Sequence, residues 1–117
     1  MTNPLHLLAN HGIDAATVVL EYRDLPAAQV VSGHARVGTA TLGGLGDCVV
    51  GVWEISPSVS TDVEADEFFL VLSGAATVAF ADGSPCLQLK AGTVARLAAG
   101  AATTWTVTQT LRKIYVV

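Results

Sequence analysis

Four acidic residues crowd one short stretch of this chain: Asp62, Glu64, Asp66 and Glu67. The last of them heads an apolar run, Phe68-Phe69-Leu70-Val71-Leu72. A carboxylate in that setting is partly desolvated, which raises its pKa and suits it to accept or return a proton, or to hold a ligand by hydrogen bonds. Glu67 is therefore the candidate catalytic residue. The simpler reading pairs it with a cation, and Arg96, Arg112 and Lys113 are the candidates. Two tryptophans, Trp53 and Trp105, and an ending Arg112-Lys113-Ile114-Tyr115 complete the residues with chemistry to offer. Lys113 and Tyr115 share one face of the last strand, since side chains alternate.

Other reactive types carry less. Cys48 and Cys86 lie in no CxxC motif and are expected to be small buried apolar residues. His34 follows Ser32-Gly33 and is expected at the surface or an interface. His6 and His11 fall in the N-terminal segment and are expected in solvent. Gly43-Gly44-Leu45-Gly46 lacks the Lys-Ser/Thr that a phosphate loop requires, and reads as a hairpin loop. No Ser-His-Asp or Cys-His arrangement stands out.

The elements that must position these residues are short and β-rich. Apolar or alternating runs recur from Gln29 onward, each closed by glycine, proline or Asp-Gly. They are Val30–Val31, Ala35–Leu42, Cys48–Ile55, Glu67–Leu72, Ala75–Phe80, Cys86–Leu89, Val94–Leu97, Thr103–Thr108 and Arg112–Val117. Asp82-Gly83 and Lys90-Ala91-Gly92 are expected turns. With no helical period between the strands, the sheet should be antiparallel, in a sandwich or small barrel. Residues 1–28 read as an N-terminal arm and 29–117 as the barrel. Asn3-Pro4 resembles a helix start, with Leu5, Leu7 and Leu8 following and Gly12 ending the turn. Ala15 to Leu25 is ambiguous between helix and strand.

With 117 residues the chain suits one domain with a small core. Charged residues make up 14% against 51% hydrophobic, so some apolar surface should be hidden against a second copy. Phe68 to Leu72 is apolar on both faces of its strand. One face fills the interior, and the other needs the arm or a partner subunit, so a homodimer is expected. Six basic residues spread thinly over a chain of net charge −4 argue against nucleic acid. The longest nearly apolar run, Phe68 to Ala81, is interrupted by Ser73, Gly74 and Thr77. It falls short of the roughly 18 residues of a spanning helix. The N-terminus has no signal-peptide pattern, and a cytoplasmic setting is expected.

Several of these residues recur in a recognisable frame. Ser32-Gly33, Gly51-Val52-Trp53-Glu54, Pro57, Asp66-Glu67-Phe68, Leu72 with Gly74, Asp82-Gly83, Gly92, Gly100, Thr104-Trp105-Thr106-Val107 and Arg112-Lys113-Ile114-Tyr115-Val116 follow one another in order. This set resembles the cupin superfamily, and within it the small single-domain branch related to the cupin domain of (S)-ureidoglycine aminohydrolase. The resemblance covers about residues 30 to 117. It implies an all-β, cupin-type double-stranded β-helix, an antiparallel jelly-roll barrel. A metal-binding member would carry an H-x-H pair four or five residues before the glutamate, where this chain has Ser60-Thr61-Asp62-Val63. It would carry a third histidine where this chain has Thr103. Glu67 alone persists of the implied ligand set, with Asp62 a second ligand only if the register shifts by one residue. No metal or other cofactor is therefore expected.

If Thr103 keeps the ligand position it faces the interior, and Trp105 and Val107 face inward with it. The expected ligand pocket is then Trp53, Glu67, Phe69, Thr103, Trp105 and Tyr115. The resulting expectation is a metal-free domain that binds a small molecule or has lost activity. One alternative is a manganese-type hydrolase, implied by the resemblance. The other is a structural or regulatory dimer whose barrel is filled by its own side chains.

Overall fold

The computed structural model describes residues 7–117. Among these residues nine strands form: β1 (Glu21–Asp24), β2 (Val30–Gly33), β3 (Arg36–Leu45), β4 (Cys48–Ile55), β5 (Ser58–Val63), β6 (Glu67–Phe80), β7 (Leu87–Lys90), β8 (Val94–Leu97) and β9 (Ala102–Val116). The one helical element among them is a 3-10 turn, Ala27–Gln29. The expected helix start at Asn3-Pro4, together with His6, lies outside the described residues. Leu7 to Gly12 forms a turn instead of a helix. Of the ambiguous Ala15–Leu25 stretch, only β1 is strand, and it adds to the edge of β3.

All strand pairs are antiparallel, in one curled sheet. The path runs β1-β3-β4-β9-β5-β2, and β6 pairs with β7, β8 and β9. This is the jelly roll, and β6 and β9 make it. They are 14 and 15 residues long, and each serves both halves of the sheet. The sequence divides each into two short strands. The backbone runs through, bent by register shifts between Val71 and Ala76. A bulge lets a long strand turn a corner without ending. Gly74 sits there at φ +94°, and a Cβ on it would run into the backbone of Thr110 and Leu111.

Parity along these strands sorts the core. Val37, Ile55, Phe69, Val71, Val78, Leu89, Leu97, Trp105, Val107 and Leu111 fill the interior. Outside the sheet, Leu20, Leu42 and Val52 form a second cluster, flanked by Ala15, Val18, Ala40 and Ile114. The arm thus covers one patch of the outer face. It leaves Phe68, Leu70 and Val94 exposed beside it. Cys48 and Cys86 are both free and exposed, contrary to the expectation of burial. Cys48 opens β4 directly after the Gly46-Asp47 turn, and Cys86 precedes β7 in the loop after Pro85. Both sit at strand ends, where the sheet offers no cover.

Candidate functional site

Strand β5 is the element missing from the expected pattern, and it builds one wall of the site. Ser58 and Ser60 point inward and are buried, and Asp62 continues the same face. After Val63 the chain leaves the strand, held by Glu64 N–H to Ala101 O (2.9 Å) and Gly100 N–H to Glu64 O (2.8 Å). That hold turns the Glu64 side chain into the barrel. Its Oε2 accepts hydrogen bonds from the Thr103 hydroxyl (2.5 Å) and the Trp105 indole N–H (3.0 Å).

Opposite this wall, β6 contributes Glu67 and β9 contributes Lys113. The Lys113 ammonium donates to Glu67 Oε2 at 2.5 Å. Only 6% of the Lys113 side chain and 15% of the Glu67 side chain are exposed. Lys113 Nζ lies 4.2 Å from the ring centre of Phe69, 4.7 Å from Trp53 and 5.1 Å from Trp105. The rings' negative faces stabilise a cation there. Trp53 and Trp105 meet at 5.6 Å between centroids, so β4 and β9 bring the two indoles together. Tyr115 lies over Gly51 on the paired strand, and a side chain at Gly51 would collide with its ring.

These groups face a cavity of about 280 Å³. Trp53, Glu67, Trp105 and Tyr115 line it, with Ser60, Asp62, Glu64 and Lys113, and Arg23 from β1. Two of the expected pocket residues stand behind the wall. Phe69 backs Trp105 at 6.0 Å and supports Lys113 from below. Thr103 is buried and holds Glu64. Arg23, Ser60, Asp62, Glu64 and Lys113 line the cavity and lie outside the expected pocket set. Lys113 was legible as a partner for Glu67. Glu64 lies one residue past the end of β5, where strand parity gives no signal.

Desolvation shapes the electrostatics. Burial lowers the Lys113 pKa, while Glu67, Glu64 and Asp62 pull it back up; lowering prevails because the amine is nearly sealed from water. Burial first, then the neighbouring Glu64 charge, raises Asp62. Burial also raises Tyr115, against a lowering hydrogen bond with Thr41. Three carboxylates, Asp62, Glu64 and Glu67, face two cations, Arg23 and Lys113, around the cavity.

The donor set does not fit a metal. A transition-metal site needs three or four N/O ligands converging at about 2 Å. The histidine positions implied by the resemblance hold Ser60, Asp62 and Thr103, and an ammonium already occupies the face of Glu67. Among the described residues, no group of three His, Cys, Asp or Glu side chains is placed to hold a metal ion. The other histidines stand apart: His34 is exposed and bonded to Asp24 (2.7 Å), and His11 is exposed.

The curled sheet and its internal polar end define a cupin-type jelly roll without the metal ligands. Residues 42–115 match the family model of the EutQ-like cupin domain, and the chain belongs to that family. Solved structures agree on the fold. A protein of unknown function from the DUF861 family of Pseudomonas syringae pv. tomato is 21% identical, with a TM-score of 0.76 over 89% of this chain and 46% of its own. The Clostridium difficile EutQ protein is 20% identical, with a TM-score of 0.60 over 70% of this chain and 61% of its own. A putative ethanolamine utilization protein Q from Salmonella typhimurium is 19% identical, with a TM-score of 0.59 over 86% of this chain and 95% of its own. The chain thus spans about half of the Pseudomonas protein and three fifths of the Clostridium one. No curated protein matches it in sequence. The family match places the chain in the EutQ-like branch and gives no specific support to the ureidoglycine aminohydrolase resemblance.

Proposed function

We propose that the barrel is a metal-free pocket for a small neutral or cationic molecule, centred on the Lys113–Glu67 pair. One observation carries this reading: a nearly sealed ammonium–carboxylate pair forms the wall of an open cavity of about 280 Å³. A water's share of liquid volume is about 30 Å³, so the cavity has room for a molecule of several heavy atoms. Lys113 has three N–H donors and a single hydrogen-bond partner, Glu67. The remaining capacity points to a ligand or to water. The indoles of Trp53 and Trp105 supply flat apolar walls, and Ser60, Asp62 and Tyr115 supply polar contacts. The open cavity argues against a barrel filled by its own side chains. The donor set argues against a manganese-type hydrolase.

Trp53 and Trp105 are the only tryptophans, and both line the cavity. Their fluorescence therefore reports what enters it. Small neutral and cationic compounds should change the emission saturably, and Glu67→Ala should weaken that response without changing metal content. An unchanged response in Glu67→Ala, or stoichiometric manganese, iron, nickel or zinc in protein purified without chelator, removes the assignment.

We also propose that the exposed outer face of β6 and β8 meets a second copy of the chain. Phe68, Leu70 and Val94 leave an apolar patch next to the one the arm covers. Sedimentation of the wild type and of Phe68→Glu tests this: the variant should be the smaller species.

A further inference from the structure

A second reading of the same pocket concerns the chemistry of Lys113, and it rests on the proposal that the cavity admits small molecules. Lysine amines bind carbonyl compounds covalently when they are desolvated and have a proton acceptor at hand. Both conditions are met by geometry. The Lys113 side chain is 6% exposed, Lys113 lines the cavity, and Glu67 Oε2 lies 2.5 Å from its Nζ. The surrounding rings of Trp53, Phe69 and Trp105 leave the amine no other hydrogen-bond acceptor among the contacts of the site.

We propose that Lys113 is a nucleophile that captures short, neutral aldehydes as an imine, with Glu67 carrying the protons. The ammonium first passes a proton to the Glu67 carboxylate. The free amine then adds to the carbonyl carbon; the N–C bond forms, and the C=O π pair moves onto oxygen, which takes the proton from Glu67. Glu67 next removes a proton from nitrogen and returns it to the hydroxyl. Water leaves with the C–O bonding pair, and the nitrogen lone pair closes the C=N bond. The product is an iminium cation beside a Glu67 carboxylate, with one water released. The charge of the pair is the same before and after, so the aromatic cage and Glu67 stabilise both states. Burial, which lowers the lysine pKa, favours the first proton transfer.

The class of carbonyl follows from the groups facing the amine. Glu67 on β6, Glu64 after β5 and Asp62 on β5 are acidic; Arg23 on β1 is the other cation, and Tyr115 on β9 is neutral. An aldehyde bearing a carboxylate meets three negative charges, whereas a neutral one meets none of this repulsion. The two indoles accommodate a short apolar tail.

The chain carries its own reference. Lys90 and Lys113 are its only lysines, and Lys90 is exposed. The experiment treats the intact protein at neutral pH with propionaldehyde and cyanoborohydride, then maps the reduced adducts by peptide mass spectrometry. Tryptophan fluorescence is read in parallel without reductant. The expected result is alkylation of Lys113 several-fold ahead of Lys90. Glu67→Gln should slow Lys113 on the order of a hundredfold while Lys90 keeps its rate. With glyoxylate, the ratio of Lys113 to Lys90 should fall below its value with propionaldehyde. Labelling confined to Lys90 and the N-terminal amine overturns the inference. If fluorescence still responds in that case, the pocket reading stands and only imine capture falls; if neither responds, both fall. A ratio equal or higher with glyoxylate overturns the assignment to neutral aldehydes. Wild-type mapping alone decides the main point, so it does not depend on the variant folding.

Discussion

Arg112 and Lys113 are neighbours on β9, and each is paired with a carboxylate across the sheet, yet the two pairs face opposite ways. Arg112 points outward, beneath the arm. Its Nε donates to Glu54 Oε2 (2.8 Å) and its Nη1 donates to the carbonyls of Ala15 and Val18 (3.1 Å each). The second oxygen of Glu54 accepts from the Tyr22 hydroxyl (2.9 Å). The polar groups of that cluster thus bind one another and the arm backbone. Lys113 points inward, has one hydrogen bond, and borders a cavity. The difference separates a pair that ties the arm to the barrel from a pair whose unused donors face a space. A buried pair is weak support for stability by itself, and its surroundings decide its role.

Arg112→Ala leaves Glu54 partly buried without its cation and frees two arm carbonyls. It should cost about 3 kcal/mol, read by chemical denaturation, with the arm more open to proteolysis. A loss under about 1 kcal/mol would put the two pairs on the same footing. The inward pair should behave differently. Replacing both Lys113 and Glu67 with apolar residues of similar size, as Met and Leu, should leave stability equal or raise it by about 1 kcal/mol, while the fluorescence response is lost. The corresponding double change at Arg112 and Glu54 should destabilise, because the arm carbonyls still lose their donor.

Smaller effects sharpen the picture. Thr103→Val removes one of the two hydrogen bonds to Glu64 and should cost about 1 kcal/mol, with Trp105 emission shifted. The pH dependence has two parts. Lys113 has a lowered folded-state pKa, so its contribution is complete above the ordinary lysine value and is lost as pH falls toward the lowered one. Asp62 has a raised one, so its contribution is complete below the ordinary aspartate value and is lost as pH rises through the raised one. Asp62→Asn should therefore make the protein slightly more stable at neutral pH and flatten the acid slope. An unchanged slope would remove Asp62 from the titrating set.

Much of the fold was legible because the outer strands alternate and end in glycine or Asp-Gly. The failures have a common cause. Strand β5, Ser-Val-Ser-Thr-Asp-Val, was not read as a strand because its inward residues, Ser58, Ser60 and Asp62, are polar. They are polar because they face the site, so the site hid the strand that builds it. Glycine after an apolar run signals a strand end, whereas Gly74 lies at a bulge in a continuing strand. Of the site, Trp105 is legible by parity and Glu67 by its place at the head of an apolar run, whereas parity puts Tyr115 and Lys113 on one face without saying which. Glu64 was not legible, since its side chain is aimed by a loop after β5 and parity does not extend through loops. Phe69 and Thr103 are buried. Their neighbours, Trp105 and Glu64, stand between them and the cavity.

Lys113 is a desolvated amine at the cavity wall, and Arg112's neighbour only in sequence. The most direct measurement is an NMR titration of the protein labelled at the lysine ε-carbons, with Lys113→Met assigning the signal. Lys113 should lose its proton below the ordinary lysine range, and Glu67→Gln should move it lower still by removing the charge that opposes desolvation. A Lys113 signal that titrates within the ordinary range, unmoved by Glu67→Gln, contradicts this.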